Sequence, residues 1–198
     1  MSSYSVLSDV SGALHDQIVA AIETMSDDRF GQPVQPEHVV AESPAADLPS
    51  GAVASLYLYH VGIDGNLRSQ PLLPDPDDPA RQWLPPLPLE LRFLFVPLLG
   101  EEETNLLVLG RVVQHFVDNP TFASPFVSRH SASSRLRVQI ETPTLTEVTQ
   151  LWSALSTSFR LSVVLTVHGA AIESGRSAHR RPRVVEMVGG YGTTRSEP

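Results

Sequence analysis

The chain has 198 residues, 41% of them apolar, with no cysteine and no lysine, and a formal net charge of −8 set by 22 acidic residues against 14 arginines. That length suits one core, in which about 70% of the unfolded surface becomes buried, and the lack of cysteine excludes disulfides, thiol nucleophiles and cysteine-held metals. No apolar run reaches the roughly 20 residues that cross a bilayer, and no basic region followed by an apolar stretch opens the chain, so a soluble, non-exported protein without a membrane partner is expected.

The first element is a helix. Val6, Val10, Leu14, Ile18, Ile22 and Met25 recur every three or four residues, one stripe over about five turns, with Gly31 and Pro33 expected to end it. Burial of each aliphatic contributes roughly 1.5–3 kcal/mol, so docking holds such a helix more than propensity does. A short strand is expected from Gln35 to Ala41, then a loop through Pro44, Pro49, Ser50 and Gly51. In Ala52 to Val61, Val53, Tyr57, Tyr59 and Val61 alternate with Ala54, Leu56, Leu58 and His60. Both faces are apolar, which predicts a central strand covered on two sides. The stretch 62–86, rich in proline and aspartate, buries too little apolar surface to order itself and reads as a long inserted loop.

From Leu87 to Val96 a second strand is predicted, with Leu87, Leu89, Leu91, Phe93 and Phe95 inward and Glu90 and Arg92 outward. Glu101, Glu102 and Glu103 then sit where a helix would begin, against the positive end of its dipole. Leu106, Leu109, Gly110, Val113 and Val117 form its expected buried stripe, and Asn119-Pro120 stops it. Thr121 to Ser134 reads as a serine-rich surface loop. Arg135 to Glu141 alternates as a strand, with Leu136, Val138 and Ile140 inward. Thr144-Leu-Thr-Glu147 has capping-box spacing and opens a short helix whose stripe is Leu145, Val148, Trp152 and Leu155. The apolar run Leu161 to Ile172 follows as a long central strand, and residues 174–198 read as a flexible, basic, glycine-rich tail. The expected fold is α+β: one domain over 1–173, with a mixed or antiparallel sheet of four to five strands packed on about three helices.

Candidate chemistry is sparse. The seven histidines, at 15, 38, 60, 115, 130, 168 and 179, form no ligand spacing, and no Gly-x-Ser-x-Gly elbow accompanies the serine-rich segments. Gly189-Gly-Tyr-Gly192 lacks the strand, helix and lysine of a phosphate loop, and Asp75, Asp77 and Asp78 are broken by proline where a calcium loop needs glycine and glutamate. Tyr57, Tyr59 and Trp152 have the character of recognition residues, yet their strand and helix positions place them in the core. No enzyme, cofactor or metal is expected. Charge is uneven: residues 1–103 hold 16 acidic and 4 basic side chains, a net −12, whereas residues 104–198 hold 6 and 10, a net +4. An acidic whole argues against nucleic-acid binding, and the asymmetry suits copies that meet head to tail.

Four segments, taken in order, carry a resemblance. They are Ser55-Leu-Tyr-Leu-Tyr-His-Val61 with Asn66-Leu-Arg68, Pro88-Leu-Glu-Leu-Arg-Phe-Leu-Phe95, Leu109-Gly-Arg-Val-Val-Gln-His-Phe-Val-Asp-Asn-Pro120, and Trp152-Ser-Ala-Leu155 with Phe159-Arg160 before the last strand. Together, over roughly residues 5–173, they resemble the cap proteins of phage-tail-like contractile injection systems. Val96-Pro-Leu-Leu-Gly100 and the three glutamates after it depart from the family pattern. The resemblance implies a structural terminator at the end distal from the baseplate, a ring, expected to be a hexamer, whose partners are itself, the inner tube and the sheath. It also implies synthesis in the bacterial cytoplasm and incorporation into a particle that either stays there or is released on lysis. The residues assigned to interfaces are Arg68, Trp83, Asp75, Asp77, Asp78, Arg180, Arg181 and Arg183. A tail-completion adaptor of a true bacteriophage and a small hydrolase or ligand-binding enzyme are the alternative readings.

Overall fold

A computed structural model describes residues 3–25, 35–65, 71–74, 81–123, 135–174 and 179–180. Helix α1, Val6–Glu23, lays Val6, Val10, Leu14, Ile18 and Ile22 into the core as their spacing predicts. It closes at Thr24, ahead of the expected Gly31 and Pro33, because the Thr24 hydroxyl turns back to the Ala21 carbonyl at 2.8 Å. The expected strand from Gln35 shrinks to Val39–Val40, β1, behind a 3-10 turn at Pro36–His38. His15 of α1 holds this segment, its Nε2 donating to the Val39 carbonyl at 2.8 Å.

Strand β2, Ala54–Ile63, pairs along β5, Leu87–Pro97, in antiparallel register. β8, Val163–Ile172, pairs on the far side of β5, and β7, Arg135–Glu141, on the far side of β8. A short strand β6, Thr121–Ala123, finishes that edge, occupying part of the segment expected to be a loop. The sheet order is β1-β2-β5-β8-β7-β6, antiparallel apart from β1 with β2. It therefore has six strands where four to five were expected: β1 is what remains of the short strand expected at Gln35–Ala41, and the addition is the short edge β6.

One face of this sheet takes α1 and α2, Glu102–Asp118, around Leu56, Leu91, Phe93, Phe95, Leu136 and Leu165. The other takes α3, Leu145–Ala154, against Leu94, Val96 and Val164. β5 is consequently buried on both faces, which is why Leu94 and Val96 interrupt its alternation without reaching solvent. Leu87, expected inward, lies at the strand's start and is exposed.

Three predicted faces differ. Register slips between Leu58 and His60, so Tyr59 bulges from β2 and every later side chain changes face. Val61 therefore stands with Leu56 and Leu58, not with Tyr57 and Tyr59, and beyond Leu56 the strand is covered only in part. On α2 the buried stripe is Thr104, Val108, Val112 and Phe116. Arg111, whose Nε donates to the Ala21 carbonyl at 3.1 Å, and His115, 3.4 Å from Gln17, face α1 and fix the helix's rotation, leaving Leu106, Gly110 and Val117 outside. On α3, Leu145, the first helical residue, is exposed.

Two strands lie inside the stretch expected to be loop. β3, Leu73–Pro74, pairs with β4, Arg81–Trp83, and β4 pairs with β9, His179–Arg180, from the expected tail.

Candidate functional site

The local sequence around α3 builds a hollow in the surface. The Thr144 N–H and hydroxyl both donate to Glu147 Oε2 at 2.7 Å, and the Glu147 N–H returns to Thr144 Oγ1 at 3.3 Å. Those bonds hold the Glu147 carboxyl below its ordinary pKa. With its start fixed, the helix drives Trp152 against Leu94, Val96 and Val164, leaving 3% of it exposed. Phe159 meets Trp152 edge-on, ring centroids 5.8 Å apart, while remaining largely exposed itself. Beside this pair opens a cleft of about 580 Å³ lined by Tyr59, Arg92, Glu141, Leu145, Trp152 and Phe159 among others.

Two polar side chains of the cleft, Arg92 and Tyr59, depart from their ordinary titration. Arg92 donates through Nε and an η nitrogen to Glu90 Oε1, each at 2.8 Å, and that carboxylate raises the guanidinium pKa. Burial raises the Tyr59 phenol, and Arg92 offsets part of the rise. A phenol kept protonated and a paired guanidinium supply neither a nucleophile nor a base. Elsewhere His168 Nδ1 stands 3.5 Å from Asp64 Oδ2, and burial with Arg111 nearby lowers the His115 pKa. No group of three histidine or carboxylate side chains among the described residues is placed to hold a metal.

The residues assigned to interfaces divide unevenly. Arg68, Asp75, Asp77, Asp78, Arg181 and Arg183 lie outside the described residues. Trp83 stands half-buried in β4 opposite Leu73, and the backbone of Arg180 pairs with Arg81 in the same small sheet. The structure thus brings the strands of Trp83 and Arg180 together. One surface escaped the sequence reading: the outward side of α2, where Leu106 is 51% and Val117 66% exposed, with Leu107 beside them. Its signal was present as a three-and-four spacing, and that spacing was read as core.

The family described as the Pvc16 N-terminal domain matches residues 9–186. No curated protein sequence matches the chain. Among solved structures, the sheath/tube terminator of the extracellular contractile injection system PVC, in its extended state, superposes with a TM-score of 0.60 at 14% identity, over 95% of this chain and 64% of that one. The tube-terminating cap of the anti-feeding prophage superposes with a TM-score of 0.56 at 17% identity, over 92% of this chain and 60% of that one. At these identities the likeness is one of fold, and the chain spans less than two thirds of either protein.

Proposed function

Since the chain belongs to the Pvc16 N-terminal domain family, we propose that it is a structural cap which terminates the inner tube and sheath of an extracellular contractile injection particle. The family match over residues 9–186 carries this reading, and the shared fold with two terminators of such particles supports it. The cap domain spans residues 1–173, and the segment from 174 onward is an appendage to it. Its partners are further copies of itself, tube subunits and sheath subunits, and it performs no catalysis.

Termination follows from geometry. A heterologous contact that closes on itself makes a ring, and a closed ring does not propagate as a filament. We assign six copies to that ring. One face copies the contact surface of a tube or sheath layer, and the opposite face offers none to the next. Electron micrographs of a strain lacking the gene test the assignment: tubes and sheaths of irregular length, or prematurely contracted, are expected in place of complete particles. Normal particle number and length would overturn it.

A further inference from the structure

The cleft beside α3 is unfinished in the monomer. Leu145, 80% exposed, and Phe159, 62% exposed, give it apolar groups open to solvent, while Tyr59, Arg92 and Glu141 give it polar ones. The indole N–H of Trp152, buried in the same lining, has no acceptor, a cost that an oxygen entering the lining would remove. Arg92 and Glu141 bring opposite charges into one small space, so a charged visitor of either sign would give up its water beside a like charge. A neutral group with an apolar body and a hydroxyl that both donates and accepts meets no such penalty. That is the chemistry of a tyrosine side chain.

The chain itself presents such a group. Tyr4, in the single 3-10 turn Ser3–Ser5 ahead of α1, is 85% exposed, more than any other large apolar side chain among the described residues. α1 covers the sheet face opposite the one that α3 covers, so Tyr4 and the cleft belong to different surfaces of one molecule. A contact between them joins two copies through unlike patches, the heterologous kind that can close as a ring, whereas a patch that meets itself is isologous and stops at a dimer. We propose that Tyr4 of one copy enters the α3 cleft of the next, its ring against Leu145 and Phe159 and its hydroxyl between Arg92 and Glu141. A volume of about 580 Å³ admits the turn Ser3–Ser5 along with the ring, and the oxygens of that turn are the acceptors brought toward the indole N–H. The occupant is a second copy of this chain, and the cleft is complete only between copies. The inference rests on the cap reading above, which requires a ring, and adds the contact that closes it.

The chain has no cysteine, so two introduced thiols report the contact without background. Tyr4→Cys and Leu145→Cys each replace an exposed side chain and are expected to leave the thermal midpoint unchanged. Mixed in equal amounts and treated with a short bis-maleimide, the two full-length variants are expected to give a covalent dimer that neither gives alone, and the double variant a ladder of multimers. Self-association by mass photometry, or incorporation into particles where the isolated chain is monomeric, is expected to fall at least tenfold for Tyr4→Ala and less for Tyr4→Phe. A covalent dimer from either single variant alone overturns the proposal, because the contact would then be isologous. Tyr4→Ala that associates like wild type overturns it too, and so does the absence of the mixed cross-link both in the isolated protein and in purified particles that contain it. The cap reading fails separately, if tagged wild-type protein is absent from particle ends in electron micrographs.

Discussion

Trp152 shows how one side chain joins the family segment to the fold. Its position at the foot of a capped helix and ahead of an apolar strand was legible, and it is buried against Leu94, Val96 and Val164. Trp152→Ala is expected to cost about 3–5 kcal/mol in denaturant unfolding, as a core truncation does. An unchanged midpoint with assembly abolished would make it an interface anchor instead. Gly169 was not legible. It takes φ +93° where two residues of β8, His168 and Gly169, oppose Glu90 alone, and a Cβ there would stand 2.9 Å from the Arg135 carbonyl oxygen. Gly169→Ala should therefore destabilise by roughly 1 kcal/mol or more, since the native backbone conformation is strained for alanine. His115 adds a pH dependence of known sign. Its folded pKa lies below the ordinary value of about 6.5, so the unfolded chain binds the proton more readily and stability falls as pH drops from about 6.5 to the folded value. His115→Gln should flatten that part of a stability-against-pH curve.

At the scale of elements, what was legible had a local cause. Thr144 and Glu147 lie three residues apart, and their reciprocal bonds appear at the predicted helix start. Thr144→Ala is expected to cost about 1 kcal/mol, the usual loss of an N-cap. Strand β7 was legible from alternation alone, because one face of it meets the core over most of its length, whereas β5 alternates in burial only as far as Phe93 and is covered on both faces beyond it. The misread elements depend on partners distant in sequence. The bulge at Tyr59 exists only in register with β5, and no residue of β2 announces it. The rotation of α2 depends on Arg111 and His115 reaching α1, about ninety residues earlier, so two apolar stripes on one helix competed and the wrong one was chosen. Gly110→Ala separates the two. On an exposed helical face alanine should stabilise the protein by about 0.5–1 kcal/mol, whereas a core position of close approach would reject the added methyl. A lower thermal midpoint for Gly110→Ala would restore the original stripe.

For the whole molecule, charge supplies the remaining constraint. A net −12 in residues 1–103 and +4 in residues 104–198 are brought into one sheet, since β2 and β5 come from the acidic part and β7 and β8 from the basic part. The strand order sorts them: β1 and β2 lie toward one edge, with the exposed Glu37, Glu42 and Asp47 near them, and β7 and β6 toward the other, with the exposed Arg135 and Arg137. A subunit with unlike edges joins copies head to tail more readily than face to face, because the isologous alternative sets like charge against like. Association of the isolated protein is therefore expected to weaken with salt as the screening length shrinks from about 10 Å at 0.1 M to about 3 Å at 1 M. Arg135→Glu with Arg137→Glu should weaken it further at low salt and leave the thermal midpoint near wild type, as both side chains point to solvent. Mass photometry across that salt range reads the outcome directly. A protein that stays monomeric at every salt and concentration, even with tube and sheath partners present, would remove the ring and with it the geometric account of termination, whereas a monomer that assembles only on its partners would place the nucleus of the ring on the tube end.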